Sequence, residues 1–235
     1  MYDPGAEFPE LLPKEKPTEL PPFGETLEIM QHRINIIPNS EWKPTFPSTY
    51  NQFQDQITKK IITDLETGRI VASKSSNSIR MFTQPKMDKL QEARFLQDSI
   101  LRNLVTDEDK TPMPSMEQIK DFIGSRPFRS KLDLTDGYHN IRIDPDSVRH
   151  STFPCHMAKF DSPIMQEGDC NAPATMMRTM NYLFREVQDQ MIYLDNILIV
   201  NHTYEEHLNT IGQVLQIDQR NKLWFNRHKI GRAHV

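Results

Sequence analysis

The sequence predicts an α+β fold built on antiparallel strands. Helical and short extended patterns are mixed along the chain, and no internal repeat is visible. Two apolar runs, residues 191–194 and 197–200, are separated only by a polar pair, Asp195 and Asn196, which is the spacing of a hairpin. A strongly amphipathic helix over 172–187 comes immediately before that hairpin.

Each element has a local reason. Residues 1–22 hold six of the 17 prolines, with charges and few core formers, and read as an extended linker. A helix is expected over 50–66, its apolar face made by Phe53, Ile57, Ile61, Ile62 and Leu65, with Gly68 ending it. Residues 79–84 and 93–98 read as two short strands around a polar stretch, 86–92. A second helix is expected over 113–123, with Pro114 in its first turn, then a strand over 128–133 and an extended piece over 138–143. The helix over 172–187 has Asn171 as its N-cap candidate and Pro173 in its first turn. Its Met176, Met177, Met180, Leu183, Phe184 and Val187 recur at helical spacing and read as a core stripe. A helix over 203–216 and a strand fragment over 223–225 complete the reading.

Composition narrows the function only a little. The net charge is −4 and the pI near 6.1, so no global basic character advertises a nucleic-acid partner. A locally basic groove would suffice for one. The two cysteines, Cys155 and Cys170, form no CxxC pair and read as free thiols of a reducing, intracellular compartment. No apolar run reaches the length of a membrane span. Cys155, His156 and Cys170, or His202 with His207, match no structural zinc spacing.

Two carboxylates carry the chemistry. Asp133 lies between Leu132 and Leu134, where an ionised group is costly unless it is paired or holds a cation. Asp195 stands at the tip of an otherwise apolar hairpin. Together they point to a hard cation. Magnesium takes carboxylate oxygens plus substrate phosphates, and two such ions about 3.5–4 Å apart can activate a hydroxyl and stabilise a leaving pyrophosphate.

Phe128-Arg-Ser-Lys-Leu-Asp133-Leu-Thr-Asp-Gly-Tyr138-His-Asn-Ile-Arg-Ile143 resembles the first catalytic motif of reverse transcriptases from gypsy-type LTR retrotransposons. Asn171-Ala-Pro-Ala-Thr175 is similar to the start of their palm helix, and Tyr193-Leu-Asp195-Asn196 matches their catalytic box at three of four positions. Residues 203–207 resemble the acidic helix start that follows the box. The resemblance runs from about residue 20 to 229, as a fragment of a fungal-like Pol polyprotein, and implies polymerase fingers (23–108 and 141–171) and a ferredoxin-like palm (109–140 and 172–229) without a thumb.

By that resemblance Asp133 and Asp195 hold two magnesium ions, or manganese in their place, with the Leu134 carbonyl as a further ligand. Tyr138 is the aromatic gate against a ribose 2′-hydroxyl; Lys86 and Arg94 grip the dNTP triphosphate, and Glu167 and Gly168 lie at the nucleotide pocket. The implied partners are an RNA or DNA template-primer and a dNTP, inside the cell and in a virus-like particle. The implied reaction is attack of a primer 3′-hydroxyl on the α-phosphate, with pyrophosphate leaving.

The chain departs from the family at three places. Asn196 replaces the second aspartate of the box, which points to an impaired enzyme or to a non-catalytic nucleic-acid-binding remnant. In Met165-Gln-Glu167-Gly168-Asp169 only Met165 and Gly168 follow the family pattern, so Glu167 and Asp169 are expected to place negative charge beside the triphosphate. Residues 230–235, Ile-Gly-Arg-Ala-His-Val, share nothing with the family; they read as a sequencing adapter translated in one frame, a sequence artefact excluded from the fold reading.

Overall fold

In a computed structural model of the chain, the structure describes residues 30–43, 52–87, 90–223 and 231–232, with Phe8, Leu20 and Phe225. The expected linker over 1–22 lies almost wholly outside the described residues. The chain divides into two compact units, one of Gly24–Asp109 and Ile141–Ala172, the other of Met1–Phe23, Lys110–Asn140 and Pro173–Val235.

In the first unit, α1 (Gln54–Glu66) presents Ile57 and Ile61 to a core completed by Ile70, Ile79, Phe153, Cys155 and Phe160. Phe53 is buried as well, but Ile62 and Leu65 are exposed, so the apolar face is narrower than the sequence suggests. The strands β1 (Val71–Ala72), β5 (Phe153–Pro154) and β6 (Lys159–Asp161) form a sheet in the order β1-β6-β5. The strands β2 (Arg80–Pro85) and β3 (Ala93–Asp98) make an antiparallel ribbon in which Gln84 pairs with Arg94. A single helical turn, α2 (Ile100–Asn103), follows β3.

The second unit is a sheet with helices. The helix α3 (Met116–Ile123) begins later than expected, because Ser115 and Gln118 form a reciprocal capping box and Pro114 stands before the cap. Strand β4 (Phe128–Asp133) buries Ser130 and Leu132 on one face and exposes Lys131 on the other. Residues 138–143 are not one extended piece: Gly137–Asn140 is a 3-10 turn.

Helix α4 (Ala172–Leu183) buries Met176, Met177 and Met180, with Phe184 and Val187 beyond its end. The strands β7 (Gln190–Tyr193) and β8 (Asn196–Asn201) form the hairpin, and β8 pairs along all of β4, Asp133 facing Asn196 and Phe128 facing Asn201. Helix α5 (Tyr204–Arg220) is opened by a capping box between Thr203 and Glu206, and packs on β8 and β4. It runs four residues past the expected end, since no glycine or proline stands between Gln216 and Asn221 to stop it. A two-residue strand, β9 (Gly231–Arg232), pairs with Ser130 and Lys131 and closes the order β7-β8-β4-β9. These two residues belong to the segment read as a sequence artefact; an unpaired strand edge accepts a neighbouring backbone whatever its side chains. Of the strand fragment expected over 223–225, Phe225 makes an isolated antiparallel bridge with Leu134, and residue 224 lies outside the described residues.

Candidate functional site

Asp133 and Asp195 are brought together by strand register. Asp133 ends β4 and faces Asn196, the first residue of β8, while the Leu134 N–H donates to the Asp195 carbonyl at 3.0 Å. The hairpin turn is Leu194–Asp195 rather than Asp195–Asn196. Leu194 takes a left-handed conformation (φ 57°), uncommon for a residue with a branched side chain. Its N–H donates to the Met177 sulfur at 3.1 Å, so a methionine of the core stripe also holds the strained turn.

Gly137 explains how closely the next segment approaches. A Cβ there would stand 2.7 Å from Asp195 Cβ, a contact that real Cβ atoms essentially never make. Glycine is therefore required beneath the aspartate, a tertiary constraint that no pattern within the motif reveals. Tyr138 follows it in the 3-10 turn and is half-buried.

The oxygen set is hard but short. Asn196 Nδ2 donates to Asp195 Oδ1 at 3.0 Å, while Asn196 Oδ1 is buried and has no hydrogen-bond partner among the described residues. Two carboxylates and one orphaned carbonyl oxygen are the donor type that a divalent cation of the magnesium class takes, its remaining ligands coming from a substrate. Among the described residues no group of three His, Cys, Asp or Glu side chains comes together to hold a metal by itself.

The remaining expected residues lie in the other unit. Lys86 begins the turn between β2 and β3, and its Nζ sits 2.6 Å from Glu92 Oε2. Arg94 is exposed on β3, and Glu167 and Gly168 are exposed on the loop before α4.

Asp169 corrects the expectation of free negative charge. It is buried, its Oδ1 accepts from Arg102 Nη2, and its Oδ2 lies 3.1 Å from His32 Nε2. Burial alone would raise its carboxyl, but the Arg102 charge and His32 hold it below the ordinary value. Arg102 is itself only 1 % exposed. Asn171 corrects another: its Oδ1 accepts from the Asp109 N–H at 2.9 Å and its amide donates to the Asp107 carbonyl at 2.7 Å, so it serves that segment rather than capping α4.

His207 is buried with both ring nitrogens engaged, Nε2 at 2.8 Å from Ser130 Oγ and Nδ1 at 2.8 Å from Asn201 Oδ1. It ties α5 to β4 and β8 and has no ring nitrogen left for a metal; burial lowers its pKa. Cys155 and Cys170 are free thiols.

An antiparallel sheet with two aspartates at adjoining strand ends, one in a tight hairpin, is the kind of site found in nucleotide-polymerising enzymes. The reverse transcriptase (RNA-dependent DNA polymerase) family matches residues 72–234, and the chain belongs to that family. It is 28 % identical over 193 residues, 79 % of its length, to the retrovirus-related Pol polyprotein from transposon 297 of Drosophila melanogaster. It is 29 % identical over 188 residues to the Tf2-7 transposon polyprotein of Schizosaccharomyces pombe. It spans 18 % and 14 % of the length of those polyproteins. Among solved structures, the protease-reverse transcriptase of prototype foamy virus superposes with a TM-score of 0.80 at 18 % identity, covering 98 % of this chain and 30 % of that one. The same enzyme in complex with an RNA/DNA hybrid gives 0.80 at 17 % identity. At these identities the likeness shows the shared fold.

Proposed function

We propose that the chain is the fingers-and-palm part of a gypsy-type LTR retrotransposon reverse transcriptase, with fingers at 23–108 and 141–171 and palm at 109–140 and 172–229. Its reaction is the addition of a dNTP to a primer 3′-hydroxyl on an RNA or DNA template. The observation that carries this reading is the β4–β8 register, which sets Asp133 against Asn196 and the Leu134 N–H against the Asp195 carbonyl. The foamy virus relative bound to an RNA/DNA hybrid supports the nucleic-acid partner.

Asp133, Asp195 and the Leu134 carbonyl are the groups that would hold two magnesium ions, which when bound polarise the attacking hydroxyl and neutralise the leaving pyrophosphate. The side chains themselves do the positioning. Gly137 lets the 3-10 turn close onto Asp195, Leu194 and Met177 fix the hairpin tip, and Tyr138 stands next in the chain to exclude a 2′-hydroxyl. Lys86 and Arg94 take the triphosphate, with Gly168 beside it and the exposed Glu167 carboxylate opposing it. Lys86 must then exchange its ion pair with Glu92 for phosphate, a small cost for a partly exposed pair.

A second reading, a non-catalytic remnant that still binds nucleic acid, is favoured by one contact. The Asn196 amide donates to Asp195 Oδ1 and occupies a lone pair that a cation would use. Removing one preorganised electrostatic group commonly costs about 10²-fold or more in rate. Primer extension with magnesium separates the two. Weak extension by this chain, increased by Asn196→Asp and abolished by Asp195→Asn, supports the polymerase; template-primer binding with no extension by any variant supports the remnant.

A further inference from the structure

Within the first unit, two asparagines engage each other's neighbourhood in the same manner. Asn103 Nδ2 donates to the Gly168 carbonyl at 2.8 Å, and its Oδ1 accepts from the Cys170 N–H at 3.3 Å. Asn171 does the converse on the segment that follows Asn103: its amide donates to the Asp107 carbonyl and its Oδ1 accepts from the Asp109 N–H. Bonding a carbonyl and the N–H two residues on is how a paired strand engages an extended neighbour. Each side-chain amide here stands in for the N–H and C=O of one residue of a parallel strand.

Between the two amides sits the Arg102–Asp169 ion pair, with His32 at its far side. The loop is also pressed on β3: a Cβ at Gly168 would stand 3.1 Å from the Gln97 carbonyl oxygen, three residues beyond Arg94. Gly168 to Asn171 is thus held, residue by residue, against the chain that leaves β3. Most of these links are side chain to backbone, so ordinary strand pairing does not replace them.

We propose that this reciprocal asparagine clamp is a positioning device, and that Asn103 is its adjustable member. It fixes the Glu167–Gly168 loop relative to the strand that carries Arg94, so that loop and strand address one nucleotide triphosphate. The proposal rests on the polymerase reading above. Asn103 touches no substrate in this role; it acts through the Gly168 and Cys170 backbone.

The test uses the full chain and two readouts. The exposed Cys170 thiol reports the loop and the buried Cys155 thiol reports global unfolding, both by labelling with a disulfide reagent. Nucleotide affinity is read with labelled dNTP on an RNA template whose primer ends in a dideoxynucleotide, in magnesium. Asn103→Ala removes the hydrogen bonds to Gly168 and Cys170, and a third accepted from Arg102 Nη2, and is expected to label Cys170 about tenfold faster and to weaken dNTP binding about tenfold, with Cys155 still protected. Asn103→Asp keeps the acceptor for Cys170 but sets a carboxylate oxygen against the Gly168 carbonyl, so it should release the loop at least as far as the alanine variant. If the alanine variant also exposes Cys155 it has unfolded, and Asn103→Asp alone decides.

Unchanged Cys170 labelling overturns the clamp. Faster labelling with parent-like dNTP affinity overturns the positioning role while leaving the polymerase reading intact. A parent chain that binds no dNTP brings down the polymerase reading itself, and the positioning role with it.

Discussion

Asp218 offers a sharp physical test of the sheet-and-helix unit. It lies on the inner face of α5, is 1 % exposed, and neither carboxylate oxygen has a hydrogen-bond partner among the described residues. Burial pushes its pKa from 3.8 up to about 8. The folded state therefore holds the proton that the unfolded state releases near pH 4. Between those values the folded state binds more protons, so stability falls as pH rises from about 4 to about 8.

At 1.36 kcal/mol per pKa unit the cost is about 4 kcal/mol near pH 7 and about 1–2 kcal/mol near pH 5. Asp218→Asn removes the ionisation and keeps the shape. Urea denaturation of both proteins at the two pH values should show the substitution stabilising by about 3 kcal/mol more at the higher pH, a difference in which the constant cost of burying the amide cancels. The same increment at both pH values would refute a buried, unpartnered carboxyl.

Three further outcomes follow from the geometry. Gly137→Ala places a Cβ against Asp195 and should cost about 1–3 kcal/mol, measured in urea; a neutral result would mean that the close approach is absent. Asp169→Leu leaves the Arg102 charge buried and alone and should cost about 3–5 kcal/mol, whereas adding Arg102→Leu should recover most of it; additive losses in the double variant would contradict the pairing. Tyr138→Ala in the Asn196→Asp background should admit ribonucleotides far more readily in primer extension, and unchanged sugar discrimination would remove the gate from this residue.

How much of this was legible depends on whether the cause is local. The β4 strand, the helix beginning at Thr203 and the two hairpin strands were legible as apolar patterns, and the structure forms all of them close to where those patterns stand. The hairpin tip slipped by one residue because a polar pair was expected to make the turn, whereas Leu194 turns, held by Met177 from another element. Gly137 and Asp195 meet through the β4–β8 register, and no sequence window contains both. Arg102 and Asp169 are 67 residues apart, and either alone reads as a surface charge. Pattern reading assigns charged residues to solvent, so a buried pair of opposite charges shows only in three dimensions.

The most direct measurement of the central claim is melting temperature against magnesium concentration for this chain and for Asn196→Asp. Aspartate is nearly isosteric with asparagine and adds a charge beside Asp195, in the place where the Asn196 amide now donates. Without a cation the two carboxylates repel, and the substituted protein should melt slightly lower. As magnesium is added it should gain stability more steeply than the parent, because the ion binds the folded state preferentially. Identical magnesium responses from the two proteins would show that position 196 is not at a metal site, and the assignment of Asp133 and Asp195 as a polymerase centre would fall with it.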